Sequence, residues 1–250
     1  MTLSTGAAWI ALSSSWATGA HPSNNNWKDE ALKLESESSE EIAKAAKTLR
    51  EIPDLDRKLS QAIESGNERE RAIAFQTIQN LQRDSLFPFV LEHARRDTDR
   101  FVFISFCALS NEKNSAEIAR TLEARLAAKT SDRKLTAGAK TAILQCFRTL
   151  SLPLTPSTVE RLAKDQNSEV KLTAIDLAGS YATERNDPRM SEYESTLLLA
   201  LRDRSPEIRI RALDWIDKRP TGSSIRRKLQ RCLKDKNSQV RARCKEIATP

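Results

Sequence analysis

The first 26 residues contain no Asp, Glu, Lys or Arg, and Lys28 is the first charged side chain. Elsewhere other residue types are scarce. The chain has 6 glycines, 2 histidines and 5% aromatic residues, against 30% charged residues. Little glycine with much charge favours a helix-rich protein over an all-β one. No apolar run approaches the roughly 18 residues that a membrane-crossing helix needs, so no transmembrane segment is expected. The four cysteines, Cys107, Cys146, Cys232 and Cys244, are widely spaced and form no CxxC. That fits neither a disulfide-dense scaffold nor a zinc site. Cys107 and Cys146 sit among apolar residues and read as small core residues. Cys232 and Cys244 fall in one helix pair and lie close in sequence, but free structural cysteines are the simpler expectation.

Catalytic signatures are also missing. HExxH, GxSxG, GxxxxGK[ST] and GxGxxG do not occur, and no Cys stands beside a His. His93, in "VLEHARRD", reads as a surface residue near a helix C-terminus, where partial positive charge is favourable. The expectation is a protein with no catalytic residues, no metal and no cofactor.

The uncharged segment, residues 1–26, runs from the apolar "GAAWIAL" through small residues to "ATGAHPSNNN". Thr18 and Ala20 have the spacing a signal peptidase accepts, but the basic start of a signal peptide is missing. An exported, periplasmic protein is the preferred reading. The alternative is a cytoplasmic protein with a disordered tail.

From Trp27 onward the pattern is helical. Ile42, Ala45, Ala46, Leu49 and Ile52 share one face, and Ala72, Phe75, Ile78 and Leu81 another. Three stretches repeat one outline: "LAKDQNSEVKLTAI", "LRDRSPEIRIRAL" and "LKDKNSQVRARCK". Each carries an aspartate (Asp165, Asp203, Asp235) and, five positions later, Val170, Ile208 or Val240. Ala174, Ala212 and Cys244 follow, then Ala178, Ile216 and Ala248. Weaker copies begin at Asp97 and Asp132. A period of roughly 35 residues marks one helix–turn–helix unit per repeat, which must stack on its neighbours to bury its apolar face.

A helix, an Asp-polar-polar turn, and Val-Arg-x-x-Ala opening a second helix resemble the HEAT repeat, in the short bacterial form also found in phycobilisome-lyase-type proteins. The resemblance is best over 156–250, weaker over 54–150 and absent before 27. It implies an all-α fold, a right-handed α-solenoid of about six helix pairs forming one domain over 27–250. The pairs are drawn at 54–82, 84–110, 115–150, 156–183, 190–217 and 222–248, with 28–52 as an N-terminal helical cap. HEAT solenoids serve many functions, so the resemblance says little about this one.

The resemblance also implies a structural ladder in which the residue after the Val/Ile pairs with turn aspartates: Arg209 with Asp203 or Asp235, and Arg241 with Asp235. Arg211 and Arg243 stand two positions further on and lie outside that pattern. They are expected on the surface of the second helices, which is concave in HEAT solenoids. Residues 202–245 hold 15 Lys/Arg against 5 Asp/Glu, whereas residues 28–64 hold 7 against 10. Arg226, Arg227 and Arg231 add to that basic region. Such a field attracts an acidic protein, nucleic acid or another polyanion. Some alkyl-base DNA glycosylases are HEAT-like and use Asp and aromatic residues, and "LDWID" offers Asp214, Trp215 and Asp217. Trp215 reads more simply as packing. The expected function is a monomeric, non-catalytic scaffold or adaptor that binds a protein partner through a concave, C-terminally basic surface. The alternative is nucleic-acid binding.

Overall fold

The structure, a computed structural model, describes residues 26–128, 134–183, 190–218 and 228–248. The uncharged N-terminal segment up to residue 25, Asp132, Arg226 and Arg227 lie outside them. Among the described residues there are helices and no strand. They are α1 (Asn26–Leu32), α2 (Ser39–Glu51), α3 (Leu55–Ser65), α4 (Glu68–Leu81), α5 (Phe87–Arg96), α6 (Arg100–Ala108), α7 (Ser115–Ala127), α8 (Ala137–Thr149), α9 (Pro156–Leu162), α10 (Ser168–Thr183), α11 (Met190–Ala200), α12 (Pro206–Asp217) and α13 (Ser238–Ala248). A 3₁₀ segment, Lys228–Lys234, precedes α13. The apolar "FVFISF" is helical, inside α6. No described helix is long and apolar enough to cross a membrane.

The helices pair along the chain: α3 with α4, α5 with α6, α9 with α10, α11 with α12, and the 3₁₀ segment with α13. The second members form one row, with α4, α6, α8, α10, α12 and α13 each contacting the next. The first members α5, α7, α9 and α11 form another. This is a helical-repeat-like arrangement.

Local chemistry starts several of the helices. Asn67 caps α4 in a reciprocal box with Glu70. Asn167 and Asn237 accept from the amides of Val170 and Val240, and Pro206 fills the first turn of α12, where no amide is needed. Among the described residues three that are not glycine take left-handed backbone: Asp54, Gln82 and Ser151 have φ between 49° and 55°.

The row seam follows the repeat: Val170, Ala174 and Ala178 on α10, and Ile208, Ala212 and Ile216 on α12, are fully buried or nearly so. On α13, Val240 and Cys244 continue it, but Ala248 is exposed and Ile247 takes the buried place. Gly179 lets α12 approach α10, since a Cβ there would fall 2.1 Å from Trp215 Cδ2.

Two expectations are corrected. The cysteines are not free: Cys107 bonds Cys146 across α6 and α8, and Cys232 bonds Cys244 across the last helix pair. Their positions fall on the inner faces of neighbouring helices, so stacking brings them together. His93 is buried rather than on the surface, with its ring against Phe75 and Phe89. Asp97 can only accept and Arg96 can only donate, so Nδ1 donates to Asp97 at 2.9 Å and Nε2 accepts from Arg96 at 3.3 Å.

Candidate functional site

The repeated turns carry a ladder of acid–base contacts. The cation stands four residues after the helix cap on a second-row helix, and the acid stands two residues before the next cap. Arg71 of α4 reaches Asp97 at 2.9 Å, Lys140 of α8 reaches Asp165 at 2.5 Å, Lys171 of α10 reaches Asp203 at 2.6 Å, and Arg209 of α12 reaches Asp235 at 2.8 Å. In the Arg209–Asp235 rung only 11% and 13% of the side chains are exposed, so it is sheltered from the screening that makes surface pairs weak. One step is different. Phe103 occupies the cation position on α6 and Lys134 the acid position before α8, so both members of that rung are replaced together.

Three of the turn aspartates also accept from the amide two residues on. Asp165, Asp203 and Asp235 bind the amides of Asn167, Ser205 and Asn237 at 2.8–2.9 Å. Burial alone would raise these carboxyls. The hydrogen bonds from the amides and from Lys140, Lys171 and Arg209 outweigh it and hold all three below the usual range. Asp97 behaves likewise: burial opposes its charge, but His93 and Arg71 hold its carboxyl low.

Arg209 and Arg241 share a second contact. Arg209 Nη1 donates to the carbonyls of Asp203 at 2.8 Å and Arg204 at 3.0 Å. Arg241 Nη1 donates to those of Asp235 at 2.7 Å and Lys236 at 2.9 Å. Arg241 therefore meets Asp235 through its backbone, while the Asp235 carboxylate goes to Arg209.

Compared with known proteins, the chain matches no family model and no curated sequence.

Arg211 and Arg243 reach back to the preceding second-row helix. Arg211 Nε lies 3.6 Å from Asp176 on α10. Arg243 binds Asp214 and Asp217 on α12 at 2.9 Å each, and Glu246 on its own helix at 3.0 Å. Burial works against the charge of Arg243, but hydrogen bonds to Glu246, Asp214 and Asp217 raise its guanidinium above the usual range. Asp176 also accepts from Trp215 Nε1 at 2.8 Å, and the Lys218 ammonium lies 3.8 Å from the Trp215 ring centre.

Exposed cations without a partner among the described residues lie elsewhere. Arg202 and Arg204 flank Asp203, and Lys234 and Lys236 flank Asp235 at equivalent places in the next pair. All four are exposed, and among the described residues their side chains make no hydrogen bond or ion pair. Arg231 is exposed on the 3₁₀ segment. Among the described residues no three His, Cys, Asp or Glu side chains gather as a metal site. An open groove of about 460 Å³ lies on α5 and α7, lined by Arg95, Glu117, Arg120 and Arg125, away from the C-terminal turns.

The sequence reading missed the Arg71 and Lys140 rungs, whose signal was the cap-plus-four spacing. It also missed the flanking pairs Arg202/Arg204 and Lys234/Lys236, whose signal was the basic–Asp–basic triplet repeated in successive turns.

Proposed function

We propose that the chain is a right-handed α-solenoid of six HEAT-like helix pairs, acting as a non-catalytic scaffold for an acidic protein partner. The observation that carries this reading is the asymmetry of the turns. Their aspartates face inward and are neutralised by the ladder, while the flanking Arg202, Arg204, Lys234 and Lys236 face solvent without partners among the described residues. The outward edge of the last two pairs is therefore more positive than the sequence count suggests. Arg211 and Arg243 are engaged with Asp176, Asp214 and Asp217, which favours the turn edge over the second-helix surface as the docking face. Leu32 is the only exposed large apolar side chain among the described residues, so docking is electrostatic in this reading and sensitive to salt.

Export is part of the proposal. All four cysteines are paired, and stable disulfides belong to oxidising compartments. Base excision is disfavoured on two grounds. Nucleic acid is not the expected ligand in such a compartment. The Trp215 ring lies against the Gly179 backbone on α10 and under Lys218, so it is not free to stack on a base.

The test is affinity capture from the envelope fraction of the native host at low salt, with the N-terminal mass of the bait recorded. One protein retained in stoichiometric amount and released by salt is expected. Recovery of nucleic acid alone, or an intact N-terminus in a cytoplasmic fraction, overturns the reading.

A further inference from the structure

The groove on the first-row helices is lined by side chains that the stack does not use. Along α7, Glu117, Arg120, Thr121, Ala124, Arg125 and Ala128 share one face, at spacings of three and four residues. Arg95 of α5 lines the other side of an open space of about 460 Å³. Ala124 and Ala128 carry only a methyl group each and leave that space unfilled between longer neighbours. Its volume falls within the roughly 300–1,000 Å³ of small-molecule sites. Arg125 has a structural part. Its Nη2 donates at 2.5 Å to the carbonyl of Asp97, just past α5, and Arg161 makes a similar contact at 2.6 Å with the carbonyl of Leu126 in the last turn of α7. Two other side chains have no such part. Thr121 is only 9% exposed, yet it makes no hydrogen bond among the described residues. A buried hydroxyl is normally paired. Arg120 donates through Nε to the carbonyl of Ala116 at 3.3 Å, and its outer nitrogens have no partner among the described residues.

We propose that this groove binds a phosphate monoester, with Arg120 and Thr121 as its donors and Arg95 and Arg125 supplying further positive charge. The site is separate from the C-terminal turn edge and goes beyond the scaffold reading. A guanidinium only donates and the Thr121 hydroxyl has its proton to give, so the lining fits a ligand built of acceptor oxygens. Three arginines against one glutamate leave two positive charges. That matches the charge of about −1.5 to −2 that a phosphate monoester carries near pH 7 and exceeds the single charge of a phosphodiester. The planar fork of a guanidinium meets two phosphate oxygens at once. Arg125 is held by the Asp97 carbonyl, so keeping its charge at the wall needs little further ordering. Arg95 pairs with Glu117 at 3.3 Å, a contact exposed enough to be weak and exchangeable. Among the described residues no aromatic side chain lines the groove, so nothing there stacks on a nucleobase.

The probe is glycerol phosphate, titrated by calorimetry onto the full oxidised chain at fixed ionic strength, beside succinate as a dicarboxylate and dimethyl phosphate as a diester. Saturable binding of the monoester to one site is expected. Arg120→Gln should weaken it about tenfold or more, the loss of a charge-assisted bond. Thr121→Val removes a hydroxyl that holds nothing in the fold. Its melting temperature should be unchanged or higher while affinity falls several-fold, a split that a purely structural role would not give. Glu117→Gln removes the only carboxylate of the lining and should tighten binding several-fold. Arg57→Ser, on α3, should change nothing. No saturable binding, unchanged affinity in Arg120→Gln, or tighter binding of succinate or dimethyl phosphate overturns the site. Phosphatidylcholine vesicles with and without phosphatidic acid separate two sources of the same group. Co-sedimentation that glycerol phosphate reverses assigns a lipid headgroup, and binding of the soluble ester alone assigns a free one. The envelope capture reads the C-terminal edge independently, so a failure of this groove leaves the scaffold reading standing.

Discussion

Gly179 offers the sharpest test of how the second-row helices are joined. A methyl group on it would sit 2.1 Å from Trp215 Cδ2, so Gly179→Ala must displace the indole or separate α10 from α12. Overpacking of this kind costs about 1–3 kcal/mol. Displacing the ring also breaks the bond from Trp215 Nε1 to Asp176, worth about 1.5–3 kcal/mol because the acceptor is charged. Against this, alanine is a better helix former than glycine by about 1 kcal/mol. The net expectation is a loss of about 2–4 kcal/mol, or roughly 5–15 °C in melting temperature for a domain of this size. The sign should reverse in a Trp215→Ala background. There the clash and the hydrogen bond are already gone, and Gly179→Ala should stabilise by up to about 1 kcal/mol. Urea denaturation of the four chains by far-UV circular dichroism completes the cycle. Equal destabilisation in both backgrounds, or no effect in the wild type, would show that the helix contact does not rest on the Gly179–Trp215 pair.

Lowering the pH should weaken the ladder. The folded carboxyls of Asp97, Asp165, Asp203 and Asp235 are held low, so their contribution is present above the ordinary aspartate value of about 4 and is lost as pH falls through the folded values. Lys171→Met removes part of what holds Asp203 low, so the melting-temperature gap to wild type should be largest near neutral pH and close toward pH of about 2; a constant gap refutes the assignment. Reducing the disulfides should destabilise by up to about 4 kcal/mol for Cys107–Cys146 and about 3 kcal/mol for Cys232–Cys244, from the lengths of the loops they close. Melting each Cys→Ser pair separately checks this. Gln82→Gly should raise stability by up to about 1 kcal/mol, because Gln82 sits at φ 49°; a fall in the denaturation midpoint would contradict that backbone. Val240→Asp places an unpaired carboxylate at a fully buried position and should unfold the last helix pair, seen as lost helical ellipticity with the remaining pairs intact.

The all-α fold was legible because the apolar spacing is helical almost throughout, and the second-helix seam could be placed from Val170, Ile208 and Val240 alone. Ladder cations were legible where the preceding residue was Val or Ile. They were not where Glu70 or Ala139 stood there instead, although Arg71 and Lys140 occupy the same place relative to the cap. The disulfides were hidden because sequence neighbours suggested burial, not partnership. The separation of 39 between Cys107 and Cys146 is close to one repeat, which is the clue that two residues share a height in adjacent units. His93 was misread because its charged neighbours on the chain describe the helix rim, while its ring turns inward to Phe75 and Phe89. The destinations of Arg211 and Arg243 depend on Asp176, Asp214 and Asp217 one helix back, a relation that single-helix spacing does not contain.

The step from α6 to α8 lacks its rung, with Phe103 and Lys134 in place of cation and acid, and it is the step that Cys107 and Cys146 join covalently. The stack therefore has two kinds of joint. Those held by ion pairs loosen with acid and, where they are exposed, with salt. The joint at the middle of the chain ignores both and yields to a reductant. In an oxidising medium a covalent bond stands where the neighbouring steps have an ion pair. Once it is cut, the α6–α8 step is left to apolar packing, without the charged contact that its neighbours keep.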